Sequence, residues 1–388
     1  MGRMNSGGAS DISGSFDDRF SAVAAEFAKN FVERGEVGAS LYVLWRGEPI
    51  IDLWGGLASQ ETREVWRSDT LVNFYSVGKA FTALTLLRCI DQGLIGLDDP
   101  IASVWPEFSA EGKGGATIRH ALCHRAGVPA IRKRLSNDDL WQWEVMADAL
   151  AQSAPWWDPG TRHGYHTNTY GHLIGEIVRR LTNLLPGAHL AALTEDVGAD
   201  VSFGVPQSDR ARCADVIWAG GSQPIEIQEI DLERNSEASM ALASYFNPPG
   251  YSSMGVVNSA RWRSAEIPST NGHGSAEGVA RLYGGLLEPG RFLTPDLLAE
   301  ATKPQSTGFC PILGEEATFG LGFKPTSSRR PFGTSLSSFG HFGTGGAVGF
   351  ADPENGIAFG YVMNHVIPRW QSSRNRALID SLYVALAS

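Results

Sequence analysis

The chain has 388 residues, enough for a large core in one composite domain or two closely joined ones. With 43% hydrophobic and 19% charged residues it has the balance of a soluble globular protein, and a formal net charge of −10 argues against general affinity for nucleic acid or anionic lipid. No run reaches the length of a membrane span, so neither a nucleic-acid nor a membrane partner is expected.

The opening MGRMNSGGASDISGS is polar and glycine-rich without an apolar signal core. Residues 1–15 are therefore read as a flexible arm, and the cytoplasm as the compartment. From Phe16 to about Arg34 the pattern is amphipathic and helical, with Phe20, Val23, Phe27 and Phe31 on one face. Gly38 to Trp45 and Pro49 to Trp54 read as a hairpin turning at Arg46-Gly47-Glu48. A helix begins near Ser76, a turn follows at LDDP, and a short helix is predicted over Thr117 to Cys123. The stretch from about 137 to 200 is mostly helical, with the tryptophan pairs Trp141/Trp143 and Trp156/Trp157. A Pro/Gly/Ser-rich passage at 247–274 reads as long surface loop. After the helical SAEGVARLYGGLLE, glycine-rich turns alternate with the strand-like runs TFGLGF, SFGHFG, GAVGFAD and GIAFGYVMN, and a helix from about Gln371 to Ala387 ends the chain. Strands at both ends with helices between them imply an α+β protein. Segments 16–72 and 250–388 would form one sheet domain, segment 73–249 a mainly helical lobe, and the cleft would lie at their seam. No signal for oligomeric state is visible.

Cys89, Cys123, Cys213 and Cys310 are widely spaced without a CxxC pair, which reads as buried free thiols. His163, His166 and nearby His172 have no carboxylate or thiol at ligand spacing, so no metal and no other cofactor is expected.

Three signals carry chemistry. The first is Ser76-Val77-Gly78-Lys79, because residues three apart on a helix stand one above the other and the amine can reach the hydroxyl. The helix is apolar almost all round (Val77, Ala80, Phe81, Ala83, Leu84, Leu86, Leu87, Ile90), so Lys79 would be buried, and a buried lysine becomes neutral more easily. A serine in the first turn also has helix N-terminal amides near any negative charge that develops. The second is Tyr165 in PGTRHGYHTNTYGHLIGEIVRR, on a loop entering a helix, where a nearby lysine would help it lose its proton and act as general base. The third is Gly340-His341-Phe342-Gly343-Thr344-Gly345-Gly346, whose glycines let a strand approach a ligand and whose amides could complete an oxyanion hole. The dinucleotide pattern that Gly343, Gly345 and Gly349 suggest fails, since Val348 holds the sixth position and GFADPENG forms a turn instead of a helix. No GxSxG elbow occurs.

SxxK, a tyrosine in mid-chain and a glycine-flanked basic position near the end, in this order, resemble the serine β-lactamase and penicillin-binding-protein superfamily. More narrowly the chain resembles the family VIII carboxylesterases over residues 20 to 385. The shared stretches are IDLWGGLAS, SVGKAFTALTLLRCIDQGLIGLDDPI, VWPEFSAEGKGGATIRHALCHRAGVP, WDPGTRHGYH and GHFGTGGAVGFADPENGIAFGYVMN.

The resemblance implies the β-lactamase/DD-peptidase fold, an antiparallel sheet flanked by helices plus a helical lobe, and a small-molecule ester or related acyl substrate. It implies Ser76 as nucleophile, with Lys79 and Tyr165 exchanging its proton. The backbone N–H groups of Ser76 and Thr344 would form the oxyanion hole, and His341 and Gly343 would take the place of Lys-Thr-Gly. Two departures favour esters over β-lactams: Tyr165-His166-Thr167 stands for Tyr-x-Asn with Asn168 one step late, and no lysine stands at His341. His124, in the shared LCHRAG, reads as a turn-stabilising residue. The same acyl-enzyme chemistry would also serve an acyltransferase, an amide hydrolase or a β-lactamase, and the rival of another class is a non-catalytic binding scaffold.

Overall fold

The fold is that of a computed structural model, which describes residues 2–3, 12–220, 230–232, 234–367 and 371–388. The alternating, β-branched stretches at both chain ends pair into one eight-stranded sheet. Its order is Gly2–Arg3, Ile12–Phe16, Glu48–Gly56, Gly38–Trp45, Ile357–Met363, Val348–Asp352, Phe339–Phe342, Lys324–Pro325. Each neighbouring pair is antiparallel, and the ends of the chain meet where Phe359 stands opposite Val43. The hairpin turns at Arg46 and Gly47, both at positive φ (53° and 84°), the two-residue geometry that matches strand twist; Glu48 already belongs to the second strand.

Two N-terminal expectations are corrected. Residues 12–15 are no loose arm: Ile12–Phe16 pairs with Ile51–Gly55, and Ile12 is buried. ISGSF is too short and polar to show a strand period, and a strand distant in sequence supplies its hydrogen bonds. Apart from Gly2 and Arg3, the rest of the arm lies outside the described residues. The helix expected from Phe16 runs over Ser21–Glu33, after a 3-10 turn at Asp18–Phe20 capped by the Asp17 carboxylate.

The two faces of the sheet are covered differently. Helix Ala276–Leu287 lies on one face over the cross-strand pair Gly349 and Gly360. A Cβ on Gly360 would come 2.2 Å from the Ala276 carbonyl oxygen and one on Gly349 2.5 Å from the Tyr283 ring, so both glycines exist to let the helix settle closely. Helices Ser21–Glu33 and Ser373–Ala387 pack on each other. They reach the sheet through the Phe20–Trp45 ring contact and a hydrogen bond from the Tyr383 hydroxyl to Asp352.

Between the outer segments, helix Gly78–Asp91 is buried on nearly every side and packs against Thr169–Thr182 and Pro186–Val197. The passage at 247–274 is corrected as well. It contains the short helices Pro249–Ser252 and Ala260–Ser264, and Ser253, Ile267, Ser269 and Asn271 are fully buried. Its Pro, Gly and Ser content signals irregular backbone, not exposure. The Asn271 side chain satisfies backbone groups within it, accepting from the Ile267 N–H and donating to the Trp262 and Ala265 carbonyls, while Asn247 ties its start to the Ile131 and Lys133 carbonyls.

Candidate active site

Ser76 sits on the 3-10 turn Tyr75–Val77 that leads into helix Gly78–Asp91, two residues before the α-helix in whose first turn it was expected. Tyr75 holds φ at +53°, a conformation a bulky residue keeps only when its surroundings enforce it. Here the Tyr75 hydroxyl lies 3.1 Å from that of Ser253, and its ring meets Trp218 edge-on.

One helical turn on, Lys79 Nζ donates to Ser76 Oγ at 2.9 Å and to the Ser269 carbonyl at 2.9 Å. Lys79 is completely buried, and burial holds its amine well below the usual lysine range. Ser269 is fixed in turn by its hydroxyl donating to the Asn168 carbonyl at 2.6 Å, while Asn168 Oδ1 accepts from Thr270. Asn168 thus braces the segment behind the lysine.

The Tyr165 hydroxyl interacts electrostatically with the Ser76 side chain, and its ring lies 4.9 Å from Lys79 Nζ. The ring stacks on Phe319 (5.8 Å, 9°) and packs on His124 and His341. The expectation that the lysine would ease its ionisation is corrected: burial raises the phenol well above its usual range, and the Ser76 contact only offsets this. Burial thus disfavours the charged form of both partners, lowering the amine and raising the phenol.

Strand Phe339–Phe342 brings His341, Gly343 and Thr344 alongside. A Cβ on Gly343 would stand 2.3 Å from the Phe74 carbonyl oxygen, so only glycine lets this strand lie against the segment that carries Ser76. His341 is buried, its Nδ1 lies 2.7 Å from the Phe342 carbonyl, and burial together with Lys79 and Lys324 keeps it neutral. Thr344 begins a short turn after the strand and is half-buried.

Lys324 is a basic residue that sequence reasoning missed. It is buried on the neighbouring strand, paired in register with Gly340, and its Nζ lies 4.3 Å from the centre of the Phe319 ring that backs Tyr165. Burial pushes its pKa down to about 7. A lysine ending the apolar run TFGLGF was the available signal. Ser269 had none, since a backbone carbonyl leaves no mark in a sequence.

His124 has φ +63° and its carbonyl accepts from Gly164, so it shapes the turn as expected, and its ring also packs on Tyr165. His163, His166 and His172 diverge, bonding to Gly308, Gly164 and Tyr251 respectively. Among the described residues no three His, Cys, Asp or Glu side chains form a metal-binding group. Cys89, Cys123 and Cys310 are buried free thiols, and Cys213 is partly exposed. Among the described residues no helix is long and apolar enough to cross a membrane.

The family model described as Beta-lactamase matches residues 21–383. The chain belongs to the beta-lactamase family. It is 31% identical to the esterase/beta-lactamase LipL of Mycobacterium tuberculosis over 379 residues, covering 92% of this chain and 83% of that protein. Among solved structures, a family VIII carboxylesterase superposes with a TM-score of 0.87 at 32% identity, covering 97% of this chain and 100% of that one. A penicillin-binding protein homologue from Caulobacter crescentus matches with the same TM-score and coverage at 35% identity. Fold and family thus agree with the resemblance read from the sequence.

Proposed function

We propose that this esterase-type serine hydrolase is a carboxylesterase that cleaves small, short-chain esters through an acyl-enzyme on Ser76. The observation that carries the reading is the 2.9 Å contact from Lys79 Nζ to Ser76 Oγ inside a site where burial disfavours the charged amine. A neutral amine accepts a proton; an ammonium does not.

In the first step Ser76 Oγ bonds to the ester carbonyl carbon, and its proton passes to the Lys79–Tyr165 pair. The carbonyl oxygen becomes an oxyanion facing the N–H groups of Ser76 and Thr344. The tetrahedral centre collapses, the alkoxide leaves, and the pair returns the proton to it. Water then repeats the sequence on the acyl-enzyme and frees the acid. Lys79 is the first acceptor because its nitrogen already touches Oγ, and Tyr165 relays the proton toward the leaving oxygen. The two titrate as a coupled unit. His341 and Gly343 border the substrate, with neutral His341 offering no charge to an anionic substrate group.

The reading divides the protein into a sheet domain, 12–72 with 250–388, and a mainly helical lobe, 73–249, acting in the cytoplasm. A β-lactam reading is second. It is favoured by the buried Lys324, a basic side chain on the strand adjacent to His341 whose pKa is pushed down to about 7.

Hydrolysis of p-nitrophenyl acetate and butyrate beside a chromogenic cephalosporin, with Ser76→Ala as control, tests both readings. Ester turnover that vanishes in the variant, with the acyl mass on Ser76, is the expected result. Faster cephalosporin turnover would favour the second reading. Undiminished turnover in Ser76→Ala would overturn both.

A further inference from the structure

The turn that carries Thr344 is gripped from behind by the start of the C-terminal helix. Arg374 is completely buried. Its guanidinium pairs with the equally buried Glu36 carboxylate at 2.6 Å and donates through Nη2 to the carbonyls of Gly345 (2.8 Å) and His365 (3.0 Å). Glu36 also accepts from the Tyr361 hydroxyl, so strand and helix hold the pair together. Next along the helix, Asn375 Nδ2 donates to the Gly346 carbonyl at 2.8 Å, and its Oδ1 caps the helix by accepting from Ser372 N–H.

These bonds bear on Thr344 through the planarity of the peptide unit. The Gly345 carbonyl shares a plane with the Gly346 N–H, and that N–H donates to the Gly343 carbonyl at 3.2 Å. The Gly343 carbonyl shares its plane with the Thr344 N–H. Arg374 therefore orients one peptide, which orients the peptide that presents the Thr344 amide. The turn needs this help because Gly345 and Gly346 both lie at positive φ (90° and 115°), and glycines alone leave such a turn many alternatives. A buried ion pair is a poor device for stability but a good one for fixing direction.

We propose that Arg374 and Asn375, anchored by Glu36, are positioning residues that aim the Thr344 N–H at the oxyanion. The inference rests on the reading of Ser76 and Thr344 as the oxyanion hole. An aimed donor acts on the tetrahedral state more than on bound ester, so its loss lowers kcat and leaves KM.

The test uses two variants of the full chain. Glu36→Gln with Arg374→Met removes both buried charges together, which leaves no unpaired ion. Asn375→Asp keeps an oxygen to cap the helix and replaces the amide donor to Gly346 by a buried carboxyl oxygen. For each, kcat and KM on p-nitrophenyl butyrate, the number of acylated Ser76 per chain, Tm, and the inhibition constant of phenylboronic acid are measured. Phenylboronic acid is chosen because its tetrahedral serine adduct places an oxygen in the hole.

The expected result is a kcat lower by about 10–100-fold, KM within about twofold, an unchanged acylated fraction, and phenylboronic acid binding weakened in step with kcat. Folded variants with wild-type kcat and boronate affinity overturn the inference. So does a loss confined to the acylated fraction and Tm, which would mark a structural role only. If the double variant fails to fold, Asn375→Asp decides by the same readouts. Absence of acylated Ser76 in the unaltered protein overturns the acyl-enzyme reading, and the inference falls with it; acylated Ser76 with an indifferent Asn375→Asp overturns the inference alone.

Discussion

Lys79 Nζ lies 2.9 Å from Ser76 Oγ, one helical turn away, and is held from its other side by the carbonyl of Ser269, 190 residues further along the chain. A group held so has its position fixed by the Ser269 carbonyl and its charged form disfavoured by burial, the setting in which its nitrogen could accept the Ser76 proton as proposed.

Lys79→Arg tests whether the base must lose a proton. Arginine keeps length and donors but stays charged at any working pH. Turnover of p-nitrophenyl acetate is expected to fall on the order of 10²–10⁴. In the unaltered protein kcat/KM should rise with pH through the pair's ionisation, because the active form is the deprotonated one. The midpoint should lie below the ordinary lysine value of about 10.4, since burial lowers Lys79. A midpoint at or above that value would count against the assignment.

Tyr165→Phe removes one hydroxyl and leaves the ring stacked between Phe319 and His341. Turnover should drop on the order of 10²–10⁴ with Tm nearly constant. Near-normal turnover would remove Tyr165 from the proton path.

Lys324→Met should change stability in a pH-dependent way. The folded pKa of Lys324 is pushed down to about 7, by burial first and then by Arg330, against the opposing pull of Cys310 and Glu315. An unfolded lysine titrates near about 10.4. Between these values the unfolded chain binds more protons, so the stability of the unaltered protein rises with pH across that window. The Tm of the variant relative to the parent should therefore be highest below about pH 7 and decline toward pH 10. Melting curves at fixed ionic strength check this, and a Tm difference constant across the range would contradict it.

Gly343→Ala and Gly360→Ala form a matched pair. Each new Cβ meets backbone oxygen, that of Phe74 at 2.3 Å or of Ala276 at 2.2 Å, and overpacking of this kind costs about 1–3 kcal/mol. Both should lower Tm. Only Gly343→Ala presses on the segment leading into Ser76, so only it should lower kcat per acylated site. Equal kcat losses in the two would mean that the strand merely supports the fold.

Much of the site was legible because its elements are local. SxxK places amine and hydroxyl on one helix face whatever the rest of the chain does, and the apolar surround of that helix already buried the lysine. Tyr165 was legible only through the resemblance of its neighbours, as a lone tyrosine before a helix is ordinary. Periodicity found the hairpin at 38–56 and the C-terminal strands, but passed over Ile12–Phe16, whose short polar run shows no alternation.

The sequence by itself determined the family, the order of elements and the Ser76–Lys79 spacing, all of which depend on chain-local geometry and pattern. Only the tertiary structure decided which distant groups meet them: the Ser269 carbonyl at Lys79, the Lys324 charge acting on His341, and Arg374 behind the Thr344 turn. It also decided that Tyr165 rests protonated, against the simpler expectation from its lysine neighbour. The physical reason is common to all four. Desolvation and backbone hydrogen bonding depend on what packs around a group in space, and in this fold those neighbours come from segments far away in the chain.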